Sequence, residues 1–221
     1  MLLRQEYGEP EWVPNKDPIG TLVQTVLSQN TSDSNSGRAY KSLRDAFPAW
    51  ESLLESDVEA VAESIKWGGL NRVKAARIKQ IIRLIAEKRG AVTLNFLEKM
   101  SMQDSEKWLL ELPGVGLKTA RCVQLFSLGM PALPVDTHVL RVSKRLGIIG
   151  GSAAADEAHR LLQERVKPGD VYHFHILMIM HGRKVCHART PDCPHCVLRG
   201  HCDYHSRGLY AGTNRKTAVP D

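Results

Sequence analysis

Apolar residues recur at intervals of three and four along almost the whole chain, the spacing of one face of a helix. Ile19, Leu22, Val23, Val26 and Leu27 form the first such face. Thr31, Ser32 and Asp33 then offer N-caps for a helix running to about Phe47, where Pro48 stops it. Ser56 and Glu59 have the spacing of a capping box, predicting a short helix that reaches Ile65. Val73, Arg77, Ile78, Ile81, Leu84 and Ile85 predict a long helix ending before Gly90. Further helices are expected over Asp104–Leu110 and Gly116–Leu128, the latter turning Ala120, Val123 and Phe126 or Ser127 inward. After the proline-rich Pro131-Ala132-Leu133-Pro134, three more are expected near Thr137–Leu146, Ser152–Val166 and Asp170–His181. Alternating strand patterns are nearly absent, so the fold class is all-α.

No apolar run approaches the roughly 20 residues that span a bilayer. The N-terminus leads from Met1-Leu2-Leu3-Arg4 into acidic and proline-containing sequence, unlike a signal peptide. A cytoplasmic, nucleoid-associated protein without a membrane partner is expected. Among 221 residues, 30 are Lys or Arg and 24 are Asp or Glu, a net charge of +6. This favours a polyanionic partner without identifying one. From Arg207 to Asp221 the chain is polar, basic and glycine-containing, as in a frayed tail.

Two constellations carry chemistry. In the first, Leu112-Pro113-Gly114-Val115-Gly116 separates two predicted helices, and Lys118 falls in the first turn of the second. Glycines two apart allow a tight turn that shows backbone N–H groups beside a helix N-terminus, a natural phosphate site. A plain helix–helix connection has the same look. Val135-Asp136-Thr137-His138 follows the next loop, where Asp136 is placed to cap the helix starting at Thr137. In the second, Cys186, Cys193, Cys196 and Cys202 are spaced C-x6-C-x2-C-x5-C. Four thiolates so close together suit tetrahedral zinc or an iron–sulfur cubane, and His187, His195 and His201 keep a mixed zinc site open. Cys122, alone in an apolar segment, reads as a buried small hydrophobe.

The run Leu112–Ala120 followed by Val135-Asp136-Thr137-His138 closely resembles the helix–hairpin–helix and Gly/Pro/Asp signature of the endonuclease III superfamily of DNA glycosylases. The likeness extends through Leu27-Ser28-Gln29-Asn30-Thr31, Gly69-Leu70 and the cysteines, from about residue 20 to 205. It implies a two-lobed protein: residues 19–131 as a six-helix barrel with the hairpin, 1–18 and 132–205 as an iron–sulfur domain, and 206–221 as a flexible tail. It also implies a bifunctional glycosylase and AP lyase, acting as a monomer on double-stranded DNA that carries a damaged base or abasic site, with oxidised pyrimidines as substrate. Lys118 and Asp136 would be catalytic. The lysine amine attacks C1′ and forms a Schiff base, and Asp136 stabilises the cationic sugar and assists loss of the amine proton. The cysteine spacing matches the family's [4Fe–4S] motif, which selects iron–sulfur over zinc. The loop it folds brings Lys184, His187 and Arg189 to phosphates.

The resemblance further implies that Leu70 is a wedge in the base stack and that the Ser28-Gln29-Asn30 turn plugs the gap, because a base must leave the duplex to react. Aligned on Asp33, the family's intercalating glutamine falls at Asn30, with Gln29 one place earlier, so either could be the plug. Gly114, Val115 and Gly116 would grip phosphate, while Ser28, Asp33 and His138 would line the lesion pocket. Leu117 stands where many relatives have arginine, which removes one phosphate contact. Three rivals remain: a monofunctional thymine-mismatch or adenine glycosylase using Asp136 to activate water, a non-catalytic DNA-binding module, and a zinc protein of unrelated function.

Overall fold

A computed structural model describes residues 1–210, and there the regular elements are helices, with no strand among the described residues. In chain order they are α1 (Leu2–Tyr7), α2 (Pro18–Ser28), α3 (Asp33–Ala46), α4 (Ser52–Glu55), α5 (Val58–Ser64), α6 (Asn71–Arg89), α7 (Met102–Leu110), α8 (Leu117–Phe126), α9 (Thr137–Leu146), α10 (Ala155–Arg165), α11 (Val171–Lys184) and α12 (Asp203–Ser206). They form two compact units. One is Val13–Met130; the other joins Met1–Trp12 to the described residues from Pro131. No described helix is long and apolar enough to cross a membrane.

In the unit Val13–Met130, local chemistry sets the helix ends. Asp17 accepts the Gly20 N–H ahead of α2, with Pro18 at the first helical position, where its missing N–H costs nothing. Ser32 accepts from Asn35 N–H and starts α3. The expected capping box fails. Ser56 instead ends α4, its hydroxyl donating back to Leu53 O, and α5 begins after Asp57 with no side-chain cap. The acceptor side of that hydroxyl is taken by Lys79, whose Nζ donates to Ser56 Oγ at 3.2 Å, in place of a backbone N–H of the next helix.

Helix α6 packs against α2, α4 and α5 and supplies Ile78, Ile81, Ile82 and Ile85 to the core. Its buried face is rotated from the sequence expectation: Val73 is exposed and Leu84 half-buried, whereas Lys74 and Ala75 are buried. Helices α7 and α8 form the hairpin pair. Arg121 bonds Glu106 across them at 2.7 Å, and Gln124 Nε2 donates to Met102 O and Ser105 Oγ. Ser127, not Phe126, is the fully buried residue at the end of α8.

In the other unit α9 packs against α1-bearing α11 and against α12. Gly182 permits the α9–α11 approach, because a Cβ there would lie 2.8 Å from His138 Cβ. The start of the expected tail is held: the His205 and Tyr210 rings stack with centroids 4.8 Å apart. Residues 211–221 of that tail lie outside the described residues.

Candidate functional site

The hairpin between α7 and α8 uses its two glycines differently. Gly114 has φ 72, a left-handed conformation that favours glycine, and a Cβ there would meet Arg77 Nε at 2.5 Å. Gly116 has φ −102 and open space around it, so neither conformation nor packing demands glycine there. Between them Val115 turns into the core, and its N–H bonds Leu112 O. The N-terminal N–H groups of α8 follow immediately. Lys118, half-buried, lies in the first turn of that helix, at its positive end.

Besides Lys16 at φ 54, two other loops of the same unit each present a non-glycine residue in the left-handed region: Asn30 at φ 54 and Leu70 at φ 51. Asparagine adopts this region readily, whereas at Leu70 it costs about 1–2 kcal/mol. Both side chains project from the surface, Leu70 being 60% exposed. Gln29, beside Asn30, is committed inward: its Oε1 accepts from Arg77 at 3.2 Å and its Nε2 lies 3.5 Å from Gly114 O. It therefore links the Ser28–Asn30 turn to the hairpin, and Asn30 is the free projection. The Ser28 hydroxyl donates to Thr25 O, while Asp33 is exposed at the start of α3. Trp67, absent from the sequence reading, is also exposed, with the Arg38 guanidinium 3.5 Å above its ring. The signal for it was an aromatic just ahead of the Gly68-Gly69-Leu70 turn.

In the second unit Asp136 caps α9, Oδ1 accepting the Val139 N–H at 2.7 Å. The segment leading to it is clamped from three sides. Gln163 accepts from Leu133 N–H and donates to Pro131 O; His175 donates to Pro134 O; and His159 Nε2 accepts the Val135 N–H at 3.0 Å. Since His159 Nδ1 faces Ala155 O, its proton sits on Nδ1 and the ring is held in one neutral tautomer. His138 Nδ1 accepts from Arg141, whose guanidinium also reaches Gly182 O and Cys186 O, tying His138 to the start of the cysteine loop. These clamps escaped the sequence reading because a histidine or glutamine inside a helix pattern carries no sign of which backbone group it will meet.

All four cysteines of the motif line one cavity, with His181 and Arg145 beside them. Arg145 is central to the loop: it bonds Cys186 Sγ at 3.3 Å, His187 O at 2.6 Å and Ala188 O at 2.8 Å. Burial, and then the neighbouring thiols of Cys186, Cys196 and Cys202, push the Cys193 thiol upward; burial does the same for Cys196. Among the described residues no group of three or more His, Cys, Asp or Glu is arranged to hold a single metal ion. The donor set nonetheless suits a thiolate-bound cluster: four sulfurs that repel one another when ionised surround one cavity, beside a fixed guanidinium. Lys184, His187 and Arg189 are exposed around this loop. Cys122 is buried in α8, away from the motif in sequence and in the other unit.

Residues 23–168 match the family described as HhH-GPD superfamily base excision DNA repair protein. Endonuclease III of Thermotoga maritima is 36% identical over 192 residues, covering 86% of this chain and 85% of that one. A solved non-covalent Endonuclease III–DNA complex superposes with a TM-score of 0.80 at 27% identity, covering 94% of this chain and 93% of that one. A trapped Endonuclease III–DNA covalent intermediate gives a TM-score of 0.78 at 27% identity with the same coverage.

Proposed function

The chain belongs to the HhH-GPD superfamily of base excision DNA repair proteins, and on that premise we propose that it is a DNA glycosylase and AP lyase that removes oxidised pyrimidines from duplex DNA, acting as a monomer. The observation that carries the reading is the Lys118 amine in the first turn of α8, directly behind the left-handed Gly114 hairpin. The neutral amine attacks C1′ of the lesion nucleotide, and the bond from C1′ to the base breaks with its electron pair leaving on the base. The amine loses a proton, the sugar ring opens, and a protonated Schiff base joins Lys118 to C1′. This imine acidifies C2′. Removal of a C2′ proton expels the 3′ phosphate by β-elimination, and water then releases the lysine. Asp136, fixed at the start of α9, stabilises the cationic sugar before the new bond is complete.

Extrusion of the nucleotide falls to the exposed side chains of two left-handed residues. Leu70 is the wedge and Asn30 the plug, while Gln29 braces their surroundings. Gly114, Gly116 and the N-terminus of α8 grip phosphate, and Val115 anchors the turn through the core. Ser28, Asp33 and His138 contact the everted base. Cys186, Cys193, Cys196 and Cys202 would hold a [4Fe–4S] cluster. When bound, it would order the loop that offers Lys184, His187 and Arg189 to the backbone.

The test is a panel of duplexes, each with one thymine glycol, abasic site, T·G mismatch or adenine mispair. Release of thymine glycol with a nick 3′ to the lesion is expected. Release of mismatched thymine or adenine alone, without a nick, would replace this reading with the monofunctional one. Binding with no turnover of any duplex would leave a DNA-binding module.

A further inference from the structure

Lys74 is a buried cation that the reaction just described does not use. It is 3% exposed, on the same face of α6 as Ile78, Ile81 and Ile85. Its Nζ donates to two backbone carbonyls, Leu27 O at 2.7 Å and Gly68 O at 2.8 Å. Leu27 lies in the last turn of α2, where helix carbonyls lack internal partners and the negative helix end draws a cation. Gly68 closes the short turn ahead of Gly69 and Leu70. The two segments also pack directly: a Cβ at Gly68 would lie 3.2 Å from Ala39 Cβ and 4.0 Å from Leu27 Cδ2.

A single amine thus joins the root of the Ser28-Gln29-Asn30 turn to the root of the Gly69-Leu70 turn. Each root is followed, two or three residues on, by a left-handed non-glycine residue with an exposed side chain. For packing alone an apolar side chain would serve at this position, as isoleucine does further along the face. An amine is required only if the two carbonyls are to be held at a fixed separation. Burial pushes the Lys74 ammonium below its ordinary range, and even the neutral amine keeps two N–H groups for the two carbonyls.

We propose that Lys74 is a positioning residue that sets the spacing of the two gap-filling side chains, so that Leu70 and Asn30 enter the duplex as one rigid pair when a nucleotide leaves the stack. The inference rests on the reading of Leu70 and Asn30 as wedge and plug. It differs from that reading in requiring a residue that never touches DNA.

The test compares the parent with Lys74→Met, Lys74→Gln and Leu70→Ala under single-turnover conditions. Strand cleavage is followed at an abasic site in a duplex and at the same site in a single strand, where no stack need be opened. Extrusion is followed separately by the fluorescence of 2-aminopurine beside the site. Lys74→Met is expected to lower the duplex-to-single-strand rate ratio by about tenfold or more and to slow the fluorescence rise in step. Lys74→Gln, which keeps an N–H donor for one carbonyl, should fall between Lys74→Met and the parent, and it carries the comparison should Lys74→Met not fold. Equal loss on both substrates, or an unchanged ratio while Leu70→Ala lowers it, overturns the role of Lys74. An unchanged ratio in Leu70→Ala overturns the wedge reading itself, and this inference with it.

Discussion

Asp136 caps a helix and is proposed to act in catalysis, and one pair of substitutions separates the two roles. Its Oδ1 accepts the Val139 N–H at 2.7 Å and so caps α9, and its charge is assigned to the cationic sugar. Asn caps helices about as well as Asp, so Asp136→Asn should lose only the charge–dipole attraction, about 0.3–1 kcal/mol. Asp136→Ala loses the cap itself, about 1 kcal/mol, or roughly 2–4 °C in melting temperature for a chain of this size. The bond from Val135 N–H to His159 and the clamps at Leu133 and Pro134 are untouched, so the backbone at residue 136 stays in place. Catalysis should follow a different order. Removing one preorganised electrostatic partner of a transition state typically lowers kcat by about 10²–10³, and both variants remove the same charge. Melting curves should therefore rank Asp and Asn above Ala. Single-turnover cleavage of a thymine glycol duplex should place Asn and Ala together, far below Asp. An Asp136→Asn enzyme within a few-fold of the parent would refute the electrostatic role and leave only the cap.

Gly114→Ala should lose about 1–2 kcal/mol of stability through its φ of 72 and also weaken duplex binding by displacing Arg77, whereas Gly116→Ala, with open space at the Cβ, should stay within about 0.5 kcal/mol. Thermal melts and fluorescence anisotropy with duplex DNA check both, and equal effects would contradict the different demands on the two glycines. Lys74 predicts a pH dependence, because burial lowers its pKa from the ordinary 10.5. Between the lowered value and 10.5 the unfolded chain binds more protons, so this site's contribution is smallest below the lowered pKa and rises with pH through the window. Urea unfolding of parent and Lys74→Met should show a difference that moves in the parent's favour as pH rises, and a constant difference would contradict the burial. Cys202→Ala should abolish iron incorporation and visible absorbance and weaken DNA binding, measured by iron assay and anisotropy; retained iron at parent stoichiometry would remove Cys202 from the ligand set.

The sequence showed the helices and both constellations clearly, and the reasons for its misses are physical. Ile78, Ile81 and Ile85 give the period of α6, but Val73 and Arg77 lie off its buried stripe. Lys74, four residues ahead of Ile78, falls on the true apolar stripe. A lysine there was the available signal of a buried donor with two backbone acceptors. Ser56 and Glu59 had capping-box spacing, but the Ser56 hydroxyl donates back to Leu53 O and accepts from Lys79, a residue distant in the chain. The choice between Gln29 and Asn30 could not be read locally. It depends on Arg77, far along the chain, which draws Gln29 inward and leaves Asn30 in the left-handed turn. The cysteine spacing was legible as a cluster of thiols, which line one cavity, whereas Arg145, which fastens that loop to α9, was one arginine among many.

The central claim is covalent, so reductive trapping with borohydride tests it most directly. Parent protein mixed with a duplex carrying one abasic site should yield a stable protein–DNA adduct whose peptide map places the DNA on Lys118. Lys118→Gln, with duplex affinity retained, should give neither adduct nor nick. An adduct of parent yield from Lys118→Gln, or strand cleavage at the parent rate, would contradict the account.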